Sequence, residues 1–364
     1  MKRILQIIKW LAYILAGLIL ILFISLQAYK IYLKNSTKIE IPNAISSLEE
    51  IKLGGLRQWI FIRGADQNNP ALIFLHGGPG ASAPGMPSSR DLDAELIKHF
   101  TVVHWDQRGA GKSYDSDIPM SSMTMDRFVE DCNELIDYVR NRFNVQKVFL
   151  VAHSSGTVTG IKTAHRYPEK IHAYVGVGQI IHDHAQIRLA YDFIIDEAKK
   201  SGDVKIQNAI KSIGPPPYKT PEKLYEMQNY VFQFGGVIHD NSVKRIGGLL
   251  LSFLTSPEYS IPDGLNSLRM KGLFFSVSAM WDEINDIDIT KEIRSIKVPV
   301  YFFEGKYDMA TPTVLVKEFY DGLDAVKGKK LIIFENSAHM PMIEEKEKYE
   351  DLLINLVLKE NQIN

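Results

Sequence analysis

Seven short apolar runs alternate with helical stripes along this chain, and that alternation restricts its fold more than any other feature. Leu56–Ile62, Ala71–Leu75, Phe100–Trp105, Lys147–Val151, Ile171–Val177, Val298–Phe303 and Leu331–Phe334 read as strands. Most are nearly continuous in apolar residues, as expected of strands covered on both faces. Apolar residues recur at helical spacing over 125–142, 155–167, 313–323 and 344–358. Strands alternating with helices predict an α/β fold with a doubly wound, mostly parallel sheet. The alternation stops between about 180 and 292, where the pattern is helical and Pro215-Pro216-Pro217 interrupts it. That stretch reads as a helical cap, residues 180–292, inserted into a core made of 47–179 and 293–364.

The first segment is of a different kind. Lys2, Arg3 and Lys9 precede an uncharged run from Trp10 to Tyr29. Twenty residues of helix span about 30 Å, the thickness of a bilayer's hydrocarbon core. Residues 1–29 are therefore expected to form one membrane-spanning anchor, with 30–46 as a tether. A cleaved signal peptide competes with this reading. The run is longer than the usual 7–15 residues of such a peptide, and no clean small-x-small site follows. The expected arrangement is single-pass, with the catalytic domain on the extracytoplasmic side. Lys30, Lys34 and Lys38 blunt the charge asymmetry that would set this orientation.

With a formal net charge of −1 and no basic block interleaved with aromatics, nucleic acid is not an expected partner. The single cysteine, Cys132, lies within an apolar helical stripe and reads as core.

Five signals carry chemistry, and each follows a strand. Ala152-His153-Ser154-Ser155-Gly156 places a serine in a tight turn between strand and helix, flanked at two positions by small residues. The usual pattern has glycine at both flanks, so Ala152 is a departure. His76-Gly77-Gly78-Pro79-Gly80 follows Ala71–Leu75 and could aim backbone N–H groups at an oxyanion. The matching second N–H would come from Ser155. Asp106-Gln107-Arg108-Gly109-Ala110-Gly111-Lys112-Ser113 ends like a phosphate loop, but Asp106 stands where that motif needs glycine. Glu304-Gly305-Lys306-Tyr307-Asp308 and Ser337-Ala338-His339 follow the last two strands. The chain order Ser154, Asp308, His339 is that of an α/β-hydrolase triad.

These segments resemble α/β-hydrolases of the proline iminopeptidase (prolyl aminopeptidase) type over roughly residues 50–180 and 295–355. The resemblance implies a serine peptidase that releases N-terminal residues such as proline, whose cap carries acidic residues binding the free α-amine. Candidates by composition are Asp196, Glu197, Glu222, Glu226, Asp282 and Glu283. Ser154 is the expected nucleophile, His339 the base and Asp308 its orienting acid. Gly78 and Ser155 are the expected oxyanion hole. Asp183 is the alternative acid. A small-molecule or peptide substrate is expected, with no metal and no other cofactor. His182-Asp183-His184 reads as a polar cap entrance rather than a metal site, because adjacent side chains diverge. The sequon at Asn35 is weak evidence by itself. Two alternatives stay open. One is an esterase, lipase or amidase acting on small or lipid-derived acyl compounds. The other is a non-catalytic binding protein on the same scaffold.

Overall fold

A computed structural model of the chain describes residues 2–82, 90, 93–240 and 251–361. Residues 241–250 of the expected cap, and the terminal residues 1 and 362–364, lie outside the described residues. Eight strands form the main sheet: β1 (Ile45–Leu53), β2 (Leu56–Gly64), β3 (Ala71–Leu75), β4 (Thr101–Asp106), β5 (Val148–His153), β6 (Ile171–Val177), β7 (Val300–Gly305) and β8 (Lys329–Phe334). Their order is β1-β2-β4-β3-β5-β6-β7-β8. The β1–β2 and β2–β4 pairs are antiparallel, and the remaining pairs are parallel.

Alternating side chains feed two cores. Ile73, Val103, Leu150 and Phe302 pack on one face with Cys132, Leu135, Ile161 and Phe319. Their neighbours Leu72, Val102, Phe149 and Phe303 pack on the other with Tyr349, Leu353 and Val357. A period of two along each strand puts successive residues on opposite faces, so both faces must be apolar. Cys132 lies fully buried in the first of these cores, which raises its thiol pKa to about 12. Helices α2 (Met125–Phe143) and α3 (Gly156–Arg166) cover that face.

Helix α1 runs unbroken from Lys2 to Ser36 and is long and apolar enough to cross a membrane. Its side chains from Ile4 to Ile24 are exposed. The stretch expected as a tether is instead helical to Ser36 and held at its end. Lys30 is buried, and its Nζ donates to Tyr259 O at 2.7 Å. Arg63 Nη2 donates to Thr37 O at 2.6 Å, and Arg90 Nη1 to Thr37 Oγ1 at 2.7 Å.

Between β6 and β7 lie the helices α4 (Asp183–Ser201), α5 (Val204–Ile213), α6 (Pro221–Gln233), α7 (Ile261–Leu268) and α8 (Lys271–Ala279). The first three share a small core of their own, built on Ile187, Ala190, Ile194, Ile210, Met227 and Val231. Helix α8 sits against two core loops through bare backbone. A Cβ on Gly272 would lie 2.5 Å from Gly109 O and 2.7 Å from Gly80 O.

Candidate active site

Strand β5 delivers Ser154 directly into α3, and the turn leaves Ser154 at φ +54°. A non-glycine residue in the left-handed region is strained by about 1–2 kcal/mol, so its surroundings must hold it there. Ser154 N donates to Val177 O at 3.0 Å, and Thr157 N donates to Ser154 O at 2.8 Å. The glycines are there because there is no room. A Cβ on Gly156 would lie 2.5 Å from His76 O, and one on Gly77 would lie 2.7 Å from the Cβ of Ser154. The departure at Ala152 has a matching accommodation: its Cβ faces Gly160, where a side chain would approach it to 2.8 Å.

Asp308 and His339 occupy the loops after β7 and β8, which approach closely at Gly305, where a Cβ would overlap Ala338 O. Asp308 Oδ1 accepts from Ala310 N and Thr311 N, both at 2.8 Å. Its Oδ2 accepts from Thr311 Oγ1 at 2.8 Å and from His339 Nδ1 at 2.7 Å. Because the carboxylate only accepts, Nδ1 carries a hydrogen. His339 is held further by its N–H to Val237 O at 3.0 Å, and by His153 Nε2, which donates to His339 O at 2.9 Å. Gly178 lies so close to the imidazole that a Cβ would meet Cε1 and Nδ1 at 2.8 Å.

The buried groups around this pair are neutral. Burial depresses His153 to about 3 and His76 to about 4. His76 Nε2 accepts from Gln107 N at 3.1 Å, tying the glycine loop to the Asp106–Ser113 segment. Glu304 is fully buried, and desolvation together with the neighbouring Asp308 pushes its carboxyl well above the usual range. Its Oε1 accepts from Gln179 N at 3.1 Å.

Ser154 and His339 face one cavity of about 350 Å³, roofed by the cap. Gly78 and Ser155, the expected oxyanion donors, line it too, as does Thr311. Asp308 lies behind His339, 1% exposed. Thr311, which binds Asp308 and contacts His339 Nδ1 at 3.2 Å, had no sequence signal beyond its place three residues after the acid.

None of the six cap carboxylates proposed from composition lines the cavity. Asp196, Glu197 and Glu226 pair with Lys199, Lys200 and Lys223 on helix surfaces. Glu222 and Asp282 are exposed, and Glu283 accepts from Met125 N at 2.6 Å. Position on a helix face, which composition does not determine, separates them from the site. The carboxylate that does line the cavity is Asp183, only 3% exposed. His182 instead lies 3.8 Å from Asp288, and its ring meets that of the exposed His184 at 6.2 Å, away from the cavity that Asp183 lines. Lys112, at the end of the segment that mimics a phosphate loop, donates to Asp263 at 3.0 Å and sits over the Trp59 ring.

Residues 70–197 match the family model described as alpha/beta hydrolase fold. The chain is similar to a probable aminopeptidase, YbaC, of Bacillus subtilis, at 34% identity over 83% of this chain and 93% of that one. It is also similar to a proline iminopeptidase of Saccharolobus solfataricus, at 29% identity over 80% and 85% of the two chains. Among solved structures, a bacterial membrane phospholipase A aligns over 99% of both chains with a TM-score of 0.64 and 17% identity, a likeness of fold.

Proposed function

This chain belongs to the α/β-hydrolase family, and from that premise we propose that it is a membrane-anchored serine aminopeptidase that releases N-terminal residues by acyl transfer. It is a hydrolase with aminopeptidase-like relatives. The observation that carries the finer reading is the shared cavity. Ser154, strained at φ +54°, faces it together with His339, whose Nδ1 is occupied by Asp308.

In this reading Ser154 Oγ attacks the scissile carbonyl while His339 Nε2 takes its proton. His339 then protonates the leaving amine, and water repeats the sequence in reverse to release the acid. Asp308 holds the imidazole in the required tautomer and stabilises its cation. The N–H groups of Gly78 and Ser155 receive the oxyanion. Losing one such donor costs about 2.7–4 kcal/mol of transition-state stabilisation. Helix α1, long and apolar enough to cross a membrane, supports the anchoring part of the proposal, and the hydrolase domain is proposed to lie on the extracytoplasmic side.

A second reading draws support from the cavity walls. Leu224, Val237, Leu273, Val277 and Met280 make them largely apolar, which suits an acyl ester as well. A panel of aminoacyl 4-nitroanilides, their N-acetyl derivatives and acyl 4-nitrophenyl esters separates the two. Turnover of the free-amine substrates that acetylation abolishes is expected. Equal turnover of free and acetylated substrates would replace the aminopeptidase with an esterase or amidase. A fluorophosphonate probe should label the wild-type protein and not Ser154→Ala; undiminished labelling of that variant would remove Ser154 as nucleophile.

A further inference from the structure

Helix α1 and the cap meet along a groove of about 420 Å³. One wall is a single face of α1, where Gln27, Lys30, Ile31 and Lys34 follow Phe23 at helical spacing. The other wall is the cap chain from Pro257 to Pro262. Phe23 belongs to the uncharged run that ends at Tyr29, and Lys34 lies beyond it. At 1.5 Å per residue the helix rises about 16 Å between the two. The groove therefore runs from the acyl-chain depth of the bilayer that α1 enters to the level of its headgroups. Phe23, Ile31, Ile261 and Pro262 give it apolar surface, and Lys30 and Lys34 give it positive charge.

Those charges lack counterions. Lys30 is only 7% exposed, yet its Nζ has one acceptor, Tyr259 O, and forms no ion pair among the described residues. Glu258 and Asp263, which act on it electrostatically, are engaged by Arg90 at 2.5 Å and by Lys112 at 3.0 Å. Lys34, one turn further along the same face, forms no ion pair among the described residues either. A buried ammonium is ordinarily paired, and like charges four residues apart on a helix repel. We propose that the groove binds one anionic phospholipid, its phosphate held between Lys30 and Lys34 and an acyl chain laid along Phe23 and Ile261. The proposal rests on the membrane-anchor part of the functional reading and is independent of the substrate. Lys30 has two N–H donors left for phosphate oxygens, and Lys34 has three. A zwitterionic lipid brings its own ammonium, which the two lysines repel.

The test titrates the full-length protein, in a neutral detergent, with dioleoyl phosphatidylglycerol and with dioleoyl phosphatidylcholine, and counts bound lipid by native mass spectrometry. One phosphatidylglycerol per chain should bind, about 10-fold more tightly than phosphatidylcholine. Lys34→Gln should weaken phosphatidylglycerol about fivefold and leave phosphatidylcholine unchanged. Lys38→Gln removes the same charge from outside the groove, where Lys38 pairs with Glu40, and should change neither. Lys30→Gln should weaken phosphatidylglycerol at least as much as Lys34→Gln. Should it not fold, Lys34→Gln, at an exposed position, carries the test. Equal affinity for the two lipids overturns the proposal. So does an equal loss in Lys34→Gln and Lys38→Gln, which would mean diffuse attraction to the whole basic end of α1. Excess inorganic phosphate, at an ionic strength matched with chloride, should not displace the lipid; displacement would make the groove a site for free phosphate and overturns the proposal as well. Failure of the anchor reading looks different: the isolated protein would then be soluble without detergent or would lack residues 1–29.

Discussion

The cavity has two walls that treat their carboxylates in opposite ways. On the sheet side, behind His339, Asp308 accepts four hydrogen bonds, one of them from the imidazole Nδ1. On the cap side, Asp183 accepts one, and Oδ2 has no partner among the described residues. Both groups are almost wholly buried. A group that directs proton transfer works best when its geometry is set before substrate arrives. A buried carboxylate left without a partner carries the desolvation cost of its ionised form.

The largest expected effect tests the satisfied wall. Asp308→Asn should leave the fold intact and lower kcat about 10³–10⁴-fold on every substrate class, because His339 loses its tautomer and countercharge. Near-normal turnover, measured beside a circular dichroism spectrum, would remove Asp308 from the mechanism.

Gly156→Ala comes next. Its methyl would press on His76 O and Leu75 O, backbone atoms of the neighbouring strand and loop. Overpacking of this kind costs about 1–3 kcal/mol. A melting temperature several degrees lower, with reduced labelling of Ser154 by a fluorophosphonate, is expected. Unchanged values would show that the turn is looser than its contacts imply.

The unsatisfied wall should respond with the opposite sign. Asp183 holds its proton more tightly folded, at about 7, than unfolded, near the ordinary value of about 3.9. Between those values the folded state binds more protons, so stability falls as pH rises through the window and the penalty is complete above it. Asp183→Asn removes the penalty. Its melting temperature should exceed that of the wild-type protein at pH 8 and lose most of that advantage at pH 4.5. A variant less stable at both pH values would contradict the strained-carboxylate account.

Glu304→Gln should do least. Glu304 is held neutral by burial and by Asp308, so a neutral isostere that still accepts from Gln179 N should leave kcat/KM and its pH profile at pH 6–8 nearly unchanged. A displaced profile would mean that Glu304 carries charge beside Asp308.

The two walls also differ in how far their residues could be read in advance. Ser154 and Asp308 each follow a buried parallel strand and His339 follows the half-buried strand β8 at the sheet's end, and a parallel sheet brings such strand ends to one edge. Continuous apolar runs made those strands visible, and β3 and β6 have the expected bounds. Strand β1 was not visible because Ser46, Ser47, Glu49, Glu50 and Lys52 dilute its pattern on an antiparallel edge. Lys30 and Thr37 looked like tether because their partners, Tyr259, Arg63 and Arg90, are distant in sequence. The cap wall was hardest. Whether Asp183 or Glu222 meets the cavity depends on how α4 and α6 dock over the sheet, and helical periodicity does not encode that placement. Asp183 was weighed as an alternative acid, but His339 Nδ1 is bonded to Asp308.

The close approach of Gly80, Gly109 and Gly272 has a consequence for how new specificities could be built on this scaffold. At Gly272 the joint between cap and core brings backbone against Gly80 O and Gly109 O, and the Ser276 side chain of the same helix faces both Gly80 and Gly109. A cap transplanted from a relative would need glycine at position 272 and a side chain as small as Ser276 facing Gly80 and Gly109. The contact is local to α8, so cavity-lining residues on α4 and α6, such as Asp183 and Tyr225, can be exchanged without altering it. The same closeness makes the joint brittle, since a single methyl at any of the three positions would meet an atom within 3 Å.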